Sequence, residues 1–253
     1  MIRNFEVDKI FFIDCPDTKE PVNNNALTLY TETVSQFNKI RPNVEIDHFL
    51  IDSKEEFLNV FQLINEKDLK EKNIIIHVYL HGSKDKNGLV ANDKKLITWK
   101  EIQNEIRKIN IQSSNGLFLI MALCHGSYLA EKLNLFLKSP FNSLIASKYE
   151  EYVVDIYSLF HKFYSNLLFN SNLVTAFTDA EKDSDNFKFK NTENIAVKAF
   201  KSIVEKRVEY LPNLYYEYLE KSKHKISFEE FDIMQKSKYP EMIKLMEENF
   251  FIQ

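Results

Sequence analysis

Two stretches of the chain are almost continuously apolar: NIIIHVYL at residues 73–80 and LFLIMAL at residues 117–123. Such runs are typical of central strands in a parallel sheet, because helices cover both faces of that sheet. Each run leads to a reactive side chain followed closely by a glycine, His81 in the first case and Cys124 in the second. The two stretches therefore indicate both the sheet and the edge of it where chemistry is expected.

Outward from these stretches, short apolar runs alternate with amphipathic segments, which is the pattern of βαβ units. Further strands are predicted at residues 9–13, 44–51, 142–146 and 187–189, and a small hairpin at residues 88–97. The sequence therefore predicts an α/β fold with a mostly parallel central sheet.

Helices are predicted between the strands wherever apolar residues recur at i, i+3, i+4 and i+7. Two of them begin at capping boxes, Ser53 with Glu56 and Thr98 with Glu101. Two others cover residues 26–40, with Leu27, Tyr30, Val34 and Phe37 on the inner face, and residues 153–169. A further helix is predicted after Cys124, with Leu129, Leu133, Phe136 and Leu137 on its apolar side.

The pattern changes near residue 192, where it becomes purely helical and rich in Lys, Glu and Tyr. Breaks are predicted at Pro212 and Pro240, and a capping box at Ser227 with Glu230. We therefore divide the chain into an α/β domain, residues 1–191, and a helical C-terminal extension, residues 192–253, that is expected to pack on it.

Composition narrows the classes of partner. The chain has 33 Lys plus Arg against 37 Asp plus Glu, a net charge of -4, so it has no basic excess for direct binding of nucleic acid. Its two cysteines are too few for a disulfide framework, and the N-terminus lacks a signal-peptide pattern. Since no apolar run reaches the roughly 18 residues of a membrane span, we expect a cytoplasmic protein with reduced thiols and no membrane partner.

Glycine is scarce and confined to one segment. The chain contains 4 glycines, whereas average usage would give roughly 18. All of them lie between residues 82 and 126, at Gly82, Gly88, Gly116 and Gly126. Because such a chain is expected to keep glycine where the backbone turns tightly or approaches another group closely, this segment is predicted to form the active site.

His81 and Cys124 are the candidate catalytic residues. In open α/β sheets the functional crevice lies at the carboxyl ends of the strands, where these two side chains would face each other if their strands are neighbours. An imidazole beside a thiol can remove its proton during attack. Acyl transfer also needs backbone N–H donors for the oxyanion, and Gly82 and Cys124 are predicted to supply them.

Other interpretations of the same residue types remain open. A cysteine at a strand end is usually an inert small hydrophobe, which is the interpretation for Cys15. His77 is predicted to be a core histidine or to support the site, and His125 to orient a loop or face solvent. A zinc site built from His77, His81, Cys124 and His125 has no recognised ligand spacing, so neither a metal nor another cofactor is expected.

The order of these motifs resembles the caspase-like, clan CD cysteine peptidases, which include caspases, metacaspases, gingipains, separase and the bacterial CHAT-domain proteases. In all of them an apolar strand ending in His-Gly precedes an apolar strand ending in Cys. CHAT domains are the most similar, because HGS at residues 81–83, GL at 88–89, LITW at 96–99 and FYSNLL at 163–168 follow in that family's order. The resemblance spans roughly residues 5 to 190.

This resemblance implies a caspase-like three-layer α/β/α sandwich and a cysteine endopeptidase. Cys124 would be the nucleophile, His81 the general base and acid, and Gly82 and Cys124 the oxyanion donors. The chain departs from the family in having Ala122 and Leu123 before the cysteine, rather than the Gln-Ala of caspases or the Asp-Ser of metacaspases. The local motif therefore does not indicate specificity.

The resemblance also bears on the substrate. Asp14 and Asp17 follow the first strand, near where relatives that cleave after Arg or Lys place an acidic pocket residue. None of the four arginines lies at a predicted carboxyl end of a strand, so cleavage after Asp is disfavoured. A basic or neutral residue is expected at P1, the substrate position before the cleaved bond.

Relatives with CHAT domains are often regulated effectors of bacterial antiviral defence or cell death that cleave one dedicated protein. The resemblance thus implies a protein substrate, and a regulatory protein partner bound through the C-terminal extension. The alternative from a different class is an inactive caspase-like fold that serves as a protein-interaction module, because a fold does not by itself imply an activity.

Overall fold

The computed structural model describes residues 6–16, 25–134, 136–150, 153–170, 172–182, 186–222 and 225–250. Contacts within the chain divide it into two compact units. We call residues 1–133 with 139–191 the α/β unit, and residues 134–138 with 192–253 the helical unit.

The α/β unit contains, in chain order, β1 (Lys9–Asp14), α1 (Asn25–Ile40), β2 (Glu45–Leu50), α2 (Lys54–Asn65), β3 (Ile74–Tyr79), β4 (His81–Gly82), β5 (Gly88–Val90), β6 (Leu96–Thr98), α3 (Trp99–Gln112), β7 (Leu117–Met121), α4 (Tyr128–Glu131), β8 (Ser143–Ser147), α5 (Val153–Phe169), α6 (Leu173–Ala180) and β9 (Phe187–Asn191). The helical unit contains α7 (Thr192–Glu205), α8 (Arg207–Lys221), α9 (Phe228–Ser237) and α10 (Tyr239–Phe250).

The central sheet has six strands in the order β2-β1-β3-β7-β8-β9. Every neighbouring pair is parallel except β8 with β9, which is antiparallel. The prediction of a mostly parallel α/β sheet is confirmed. Because β3 and β7 are direct neighbours, from Ile74 beside Leu117 to Val78 beside Met121, their carboxyl ends meet at one edge of the sheet.

Apolar side chains bury both faces of this sheet. On one face, alternate strand residues such as Phe12, Ile75 and Ile120 pack in one cluster with residues of α1, α5 and α6. The intervening residues, including Phe11 and Leu119, are also fully buried, and the buried residues of α2 and α3 lie outside that cluster. The arrangement is compatible with a three-layer α/β/α sandwich.

His81 and Gly82 join the predicted hairpin as a third strand. β4, β5 and β6 form a separate antiparallel sheet in that order, with His81 opposite Val90 and Gly82 opposite Leu89. The sequence predicts the hairpin but not this third strand, because two residues are too short for any periodicity. Pairing in the small sheet thus holds His81 and Gly82 in place directly after β3.

Two helices differ from the prediction. The helix after Cys124 is a single turn, α4, and Phe136 of its predicted apolar side is 62% exposed. Asn134 accounts for this, since its side-chain oxygen accepts the N–H of Phe136 in an Asx turn that competes with the helix. In α1 the buried positions include Ala26 and Leu29, whereas the predicted Leu27 is 42% exposed.

In the helical unit, the last two helices begin where the sequence predicts, but one of the two predicted helix breaks is absent. The capping box of Ser227 with Glu230 is present at the start of α9, and Pro240 lies in the first turn of α10. Pro212 lies inside α8 and does not interrupt it; the break comes instead at Lys206, between α7 and α8. Among the described residues, no helix has the length and apolar content needed to cross a membrane.

Candidate active site

The segments that carry His81 and Cys124 touch at the carboxyl ends of β3 and β7. A Cβ added to Gly82 would lie only 1.9 Å from the carbonyl oxygen of Cys124 and 3.3 Å from the Cβ of Cys124. Only glycine allows the two backbones to come this close. None of the four glycines, all within the described residues, has a left-handed φ, so close approach rather than turn geometry explains Gly82.

The direction of the Gly82 N–H follows from the register of the small sheet. The N–H of Ser83 donates to the carbonyl oxygen of Gly88 at 2.9 Å. In an antiparallel ladder, hydrogen-bonded and non-hydrogen-bonded pairs alternate, so Gly82 and Leu89 form a non-hydrogen-bonded pair. Since β4 is an edge strand, the N–H of Gly82 points away from β5 and outward from the small sheet.

The two candidate side chains are accessible, whereas the second cysteine is not. His81 is exposed and Cys124 is partly exposed. Cys15 is 5% exposed, and burial raises the pKa of its thiol, with a further increase from nearby Asp52 and Asp14. A buried thiol with a raised pKa is a poor nucleophile, which fits the interpretation of Cys15 as an inert side chain.

The turn that follows Cys124 is held against the end of β8. His125 has a left-handed φ of 62° and its N–H donates to the carbonyl oxygen of Tyr149 at 3.1 Å. Its ring Nδ1 lies 3.0 Å from the carbonyl oxygen of Lys148, and the N–H of Ser127 donates to Ser147 at 2.8 Å. His125 is 7% exposed, so of its two predicted roles the structure shows the one that orients a loop.

Sequence reasoning missed the loop of Lys148, Tyr149 and Glu150 that holds this turn. The loop follows the predicted strand at residues 142–146, and β8 is the parallel neighbour of β7. Its nearness to Cys124 follows only from the order of strands in the sheet. The only feature of the sequence that points to this loop is the predicted end of the strand at residues 142–146, because parallel neighbours bring their carboxyl ends together.

His77 belongs to the core and not to the site. It is 1% exposed, its ring lies 5.1 Å from that of Phe12, and its Nδ1 lies 2.9 Å from the hydroxyl of Tyr164. Burial lowers the pKa of His77 to about 3, so the ring is neutral in the folded chain. In the described part of the chain, no three His, Cys, Asp or Glu side chains are placed to hold a metal ion.

Replacement of His77 by Gln is expected to flatten the pH dependence of stability. The folded-state pKa of about 3 lies below the ordinary value of 6.5, so the unfolded chain binds the proton first and stability is lost as the pH falls below 6.5. From pH 7 to pH 5 this linkage amounts to about 2 kcal/mol. Urea unfolding of both chains at these pH values measures it, and parallel losses in the two chains would contradict it.

Asp14 lies at the carboxyl end of β1 and is nearly inaccessible. Its side chain is 3% exposed, and its Oδ2 lies 3.6 Å from Nε2 of the partly buried His48. Burial raises the pKa of Tyr79, and the charge of Asp14 raises it further. Asp17 lies outside the described residues. A substrate pocket at these two residues stays a prediction.

Comparison with known protein families finds no family that matches this chain, and comparison with curated proteins finds no match. Three features of the chain itself define the candidate site. These are a partly exposed cysteine, an exposed histidine just beyond the end of the neighbouring strand, and a glycine in contact with the cysteine.

Proposed function

We propose that this chain is a caspase-like cysteine endopeptidase, most similar to the bacterial CHAT-domain proteases, with Cys124 as nucleophile and His81 as general base and acid. The observation that carries the proposal is the contact of Gly82 with Cys124 where β3 and β7 end. This contact brings the His-Gly segment and the cysteine to one point. The edge where the strands of a parallel sheet end is where such chemistry is usually found.

In the proposed reaction, His81 takes the proton from the thiol of Cys124 as sulfur attacks the carbonyl carbon of a peptide bond. The C–S bond forms while the carbonyl π electrons move to oxygen, and the outward N–H of Gly82 donates to that oxyanion. The intermediate then expels the amine, which takes the proton from His81. Water, deprotonated by His81, hydrolyses the thioester and regenerates the thiol.

For specificity, we propose a basic or neutral residue at P1. The acidic groups proposed to favour a basic P1 residue are Asp14, buried at the end of β1, and Asp17, which follows it in sequence. Lys148, which directly follows β8, is an ammonium group that could instead favour an acidic P1 residue. Peptides with Asp, Lys, Arg or Leu at P1 separate these possibilities, and exclusive cleavage after Asp would exclude a basic or neutral preference.

The biological setting is proposed from the same resemblance. The protein is proposed to act in the cytoplasm of a bacterium as a regulated effector of antiviral defence or cell death. Its substrate would be one dedicated protein, and the helical unit would bind a regulatory partner. Neither a cofactor nor direct contact with nucleic acid or a membrane is part of this proposal.

A second candidate function, an inactive fold that serves as an interaction module, is favoured by one observation. The helical unit exposes large apolar side chains, among them Val208 at 81%, Tyr216 at 67% and Ile233 at 65%. Exposed apolar residues mark a protein-binding surface where they form a contiguous patch, and this candidate requires such a patch on the helical unit. The two candidates differ in whether Cys124 and His81 are required.

Replacement of His81 by Ala is expected to lower kcat for peptide cleavage by about 10²- to 10⁴-fold, the usual contribution of a positioned general base. Because His81 is exposed, the free energy of unfolding should change little. The assay uses the peptides with Asp, Lys, Arg or Leu at P1. The matched control is His161→Ala, which removes a partly exposed histidine from α5. Equal rates for the two variants would contradict the role of His81.

A further inference from the structure

We propose that His125 is a positioning residue that fixes the main chain of Cys124 and thereby the reactivity of its thiol. The catalytic consequence of this inference rests on the proposed function. The residue directly follows Cys124 and is anchored twice to the loop after β8. Its N–H donates to Tyr149, and its ring bonds to the carbonyl oxygen of Lys148.

The ring bond fixes which nitrogen carries the proton. A carbonyl oxygen only accepts hydrogen bonds, so Nδ1 of His125 must be the donor to Lys148. In the neutral ring Nε2 then has the lone pair, and it lies 4.0 Å from the exposed carboxylate of Glu150. The rings of His125 and Tyr128 also make a T-shaped contact, with centroids 6.2 Å apart. Because Nδ1–H is present in both protonation states, the anchor persists whether or not the ring is charged.

The backbone of His125 needs such an anchor. Its φ of 62° lies in the left-handed region, which is unfavourable for residues with a Cβ and is tolerated best by Gly, Asn, Asp and His. Strained residues of this kind persist when the surrounding contacts hold them. Here the two bonds to the β8 loop hold the turn, and Tyr128 N–H donates to the carbonyl oxygen of His125 as α4 begins.

Cys124 is therefore held from two sides. Gly82 contacts it from the β3 side, and the anchored turn of His125 fixes the chain on the β8 side. A nucleophile displaced by about 1 Å from its base and oxyanion donors loses roughly a hundredfold in rate. Loss of the His125 anchor should thus slow the chemistry without changing how the substrate is bound.

The test uses three variants in a Cys15→Ala background, where Cys124 is the only thiol because the chain has two cysteines. His125→Asn keeps an N–H donor near the position of Nδ1 and tolerates a left-handed φ. His125→Gly keeps the backbone conformation but lacks the side-chain bond. His125→Ala lacks the bond and adds backbone strain. The readouts are the rate of alkylation by iodoacetamide from pH 6 to pH 8, and kcat and KM for peptide cleavage.

His125→Asn is expected to stay within about threefold of the parent in both rates, with an unchanged pH profile of alkylation. The Gly and Ala variants are expected to be alkylated about tenfold more slowly and to lose about a hundredfold in kcat, while KM changes less than about twofold. If His125→Ala fails to fold, as judged by circular dichroism, the comparison of Asn with Gly gives the same result.

Two outcomes would overturn the inference. If His125→Asn is as slow as the Gly variant, or alters the pH profile, the imidazole acts chemically and not through the anchor. If the Gly variant matches the parent, the bond to Lys148 does not position Cys124. Alkylation needs no substrate, so an absence of peptide cleavage in the parent would count against the peptidase proposal and leave the alkylation series to decide the role of His125.

Discussion

Cys124→Ala is expected to lower peptide cleavage by at least about a thousandfold and to leave the fold intact. The change removes the only atom that can form the acyl intermediate, and loss of a nucleophile typically leaves only the background from binding and the oxyanion donors. It deletes one sulfur from a partly exposed side chain. The free energy of unfolding should therefore change by less than about 1.5 kcal/mol.

Cys15→Ala is the matched control for this variant. It makes the same chemical change at the buried end of β1, where the pKa of the thiol is raised by burial. We expect it to keep the cleavage rate and to lose more stability than Cys124→Ala. If Cys124→Ala and His81→Ala both retain full cellular activity, the chain acts as an interaction module and the peptidase proposal is wrong.

Gly82→Ala is expected to cost both activity and stability. The new Cβ would lie 1.9 Å from the carbonyl oxygen of Cys124, which is a backbone atom and cannot rotate away. The strand β4 and the Cys124 segment must then separate, which we expect to reduce kcat by about a hundredfold. Overpacking of this kind typically costs about 1–3 kcal/mol, measurable by urea unfolding.

Gly116→Ala separates the two effects. Its Cβ would lie 2.2 Å from the carbonyl oxygen of Lys72, also a backbone atom, but Gly116 immediately precedes β7 and lies at the opposite end from Cys124. A similar loss of stability is expected, with kcat retained in the folded fraction. The role of Gly82 would be refuted if Gly82→Ala folds and cleaves peptides as fast as Gly116→Ala.

Several elements could be predicted from the sequence because local and tertiary preferences agree in them. The periodic residues of α2 are all buried: Phe57, Val60, Phe61 and Ile64. In α3 the capping box of Thr98 is formed as expected. The prediction of a longer helix after Cys124 was wrong because the side chain of Asn134 accepts a hydrogen bond from the backbone N–H of Phe136. Such a hydrogen bond competes with the helix, and the spacing of apolar residues does not reveal it.

The meeting of the two strand ends could also be predicted from the sequence, whereas the catalytic roles of the residues there stay predictions. His81 and Cys124 follow apolar strands, and the carboxyl ends of neighbouring parallel strands converge, so their proximity was expected and the contact of Gly82 with Cys124 agrees with it. The anchor of His125 could not be predicted, because its acceptor lies on the loop after β8. Which strand lies beside β7 depends on the whole sheet and not on any local pattern.

The central claim is that Cys124 is a thiol nucleophile activated by His81, and covalent trapping tests it most directly. The chain is treated with peptidyl acyloxymethyl ketones that carry Asp, Lys, Arg or Leu at P1, and the modified residue is located by peptide mass mapping. We predict a single adduct on Cys124 that is lost in His81→Ala. Peptide cleavage that continues while Cys124 stays unmodified, or labelling that is unaffected by His81→Ala, would contradict the account.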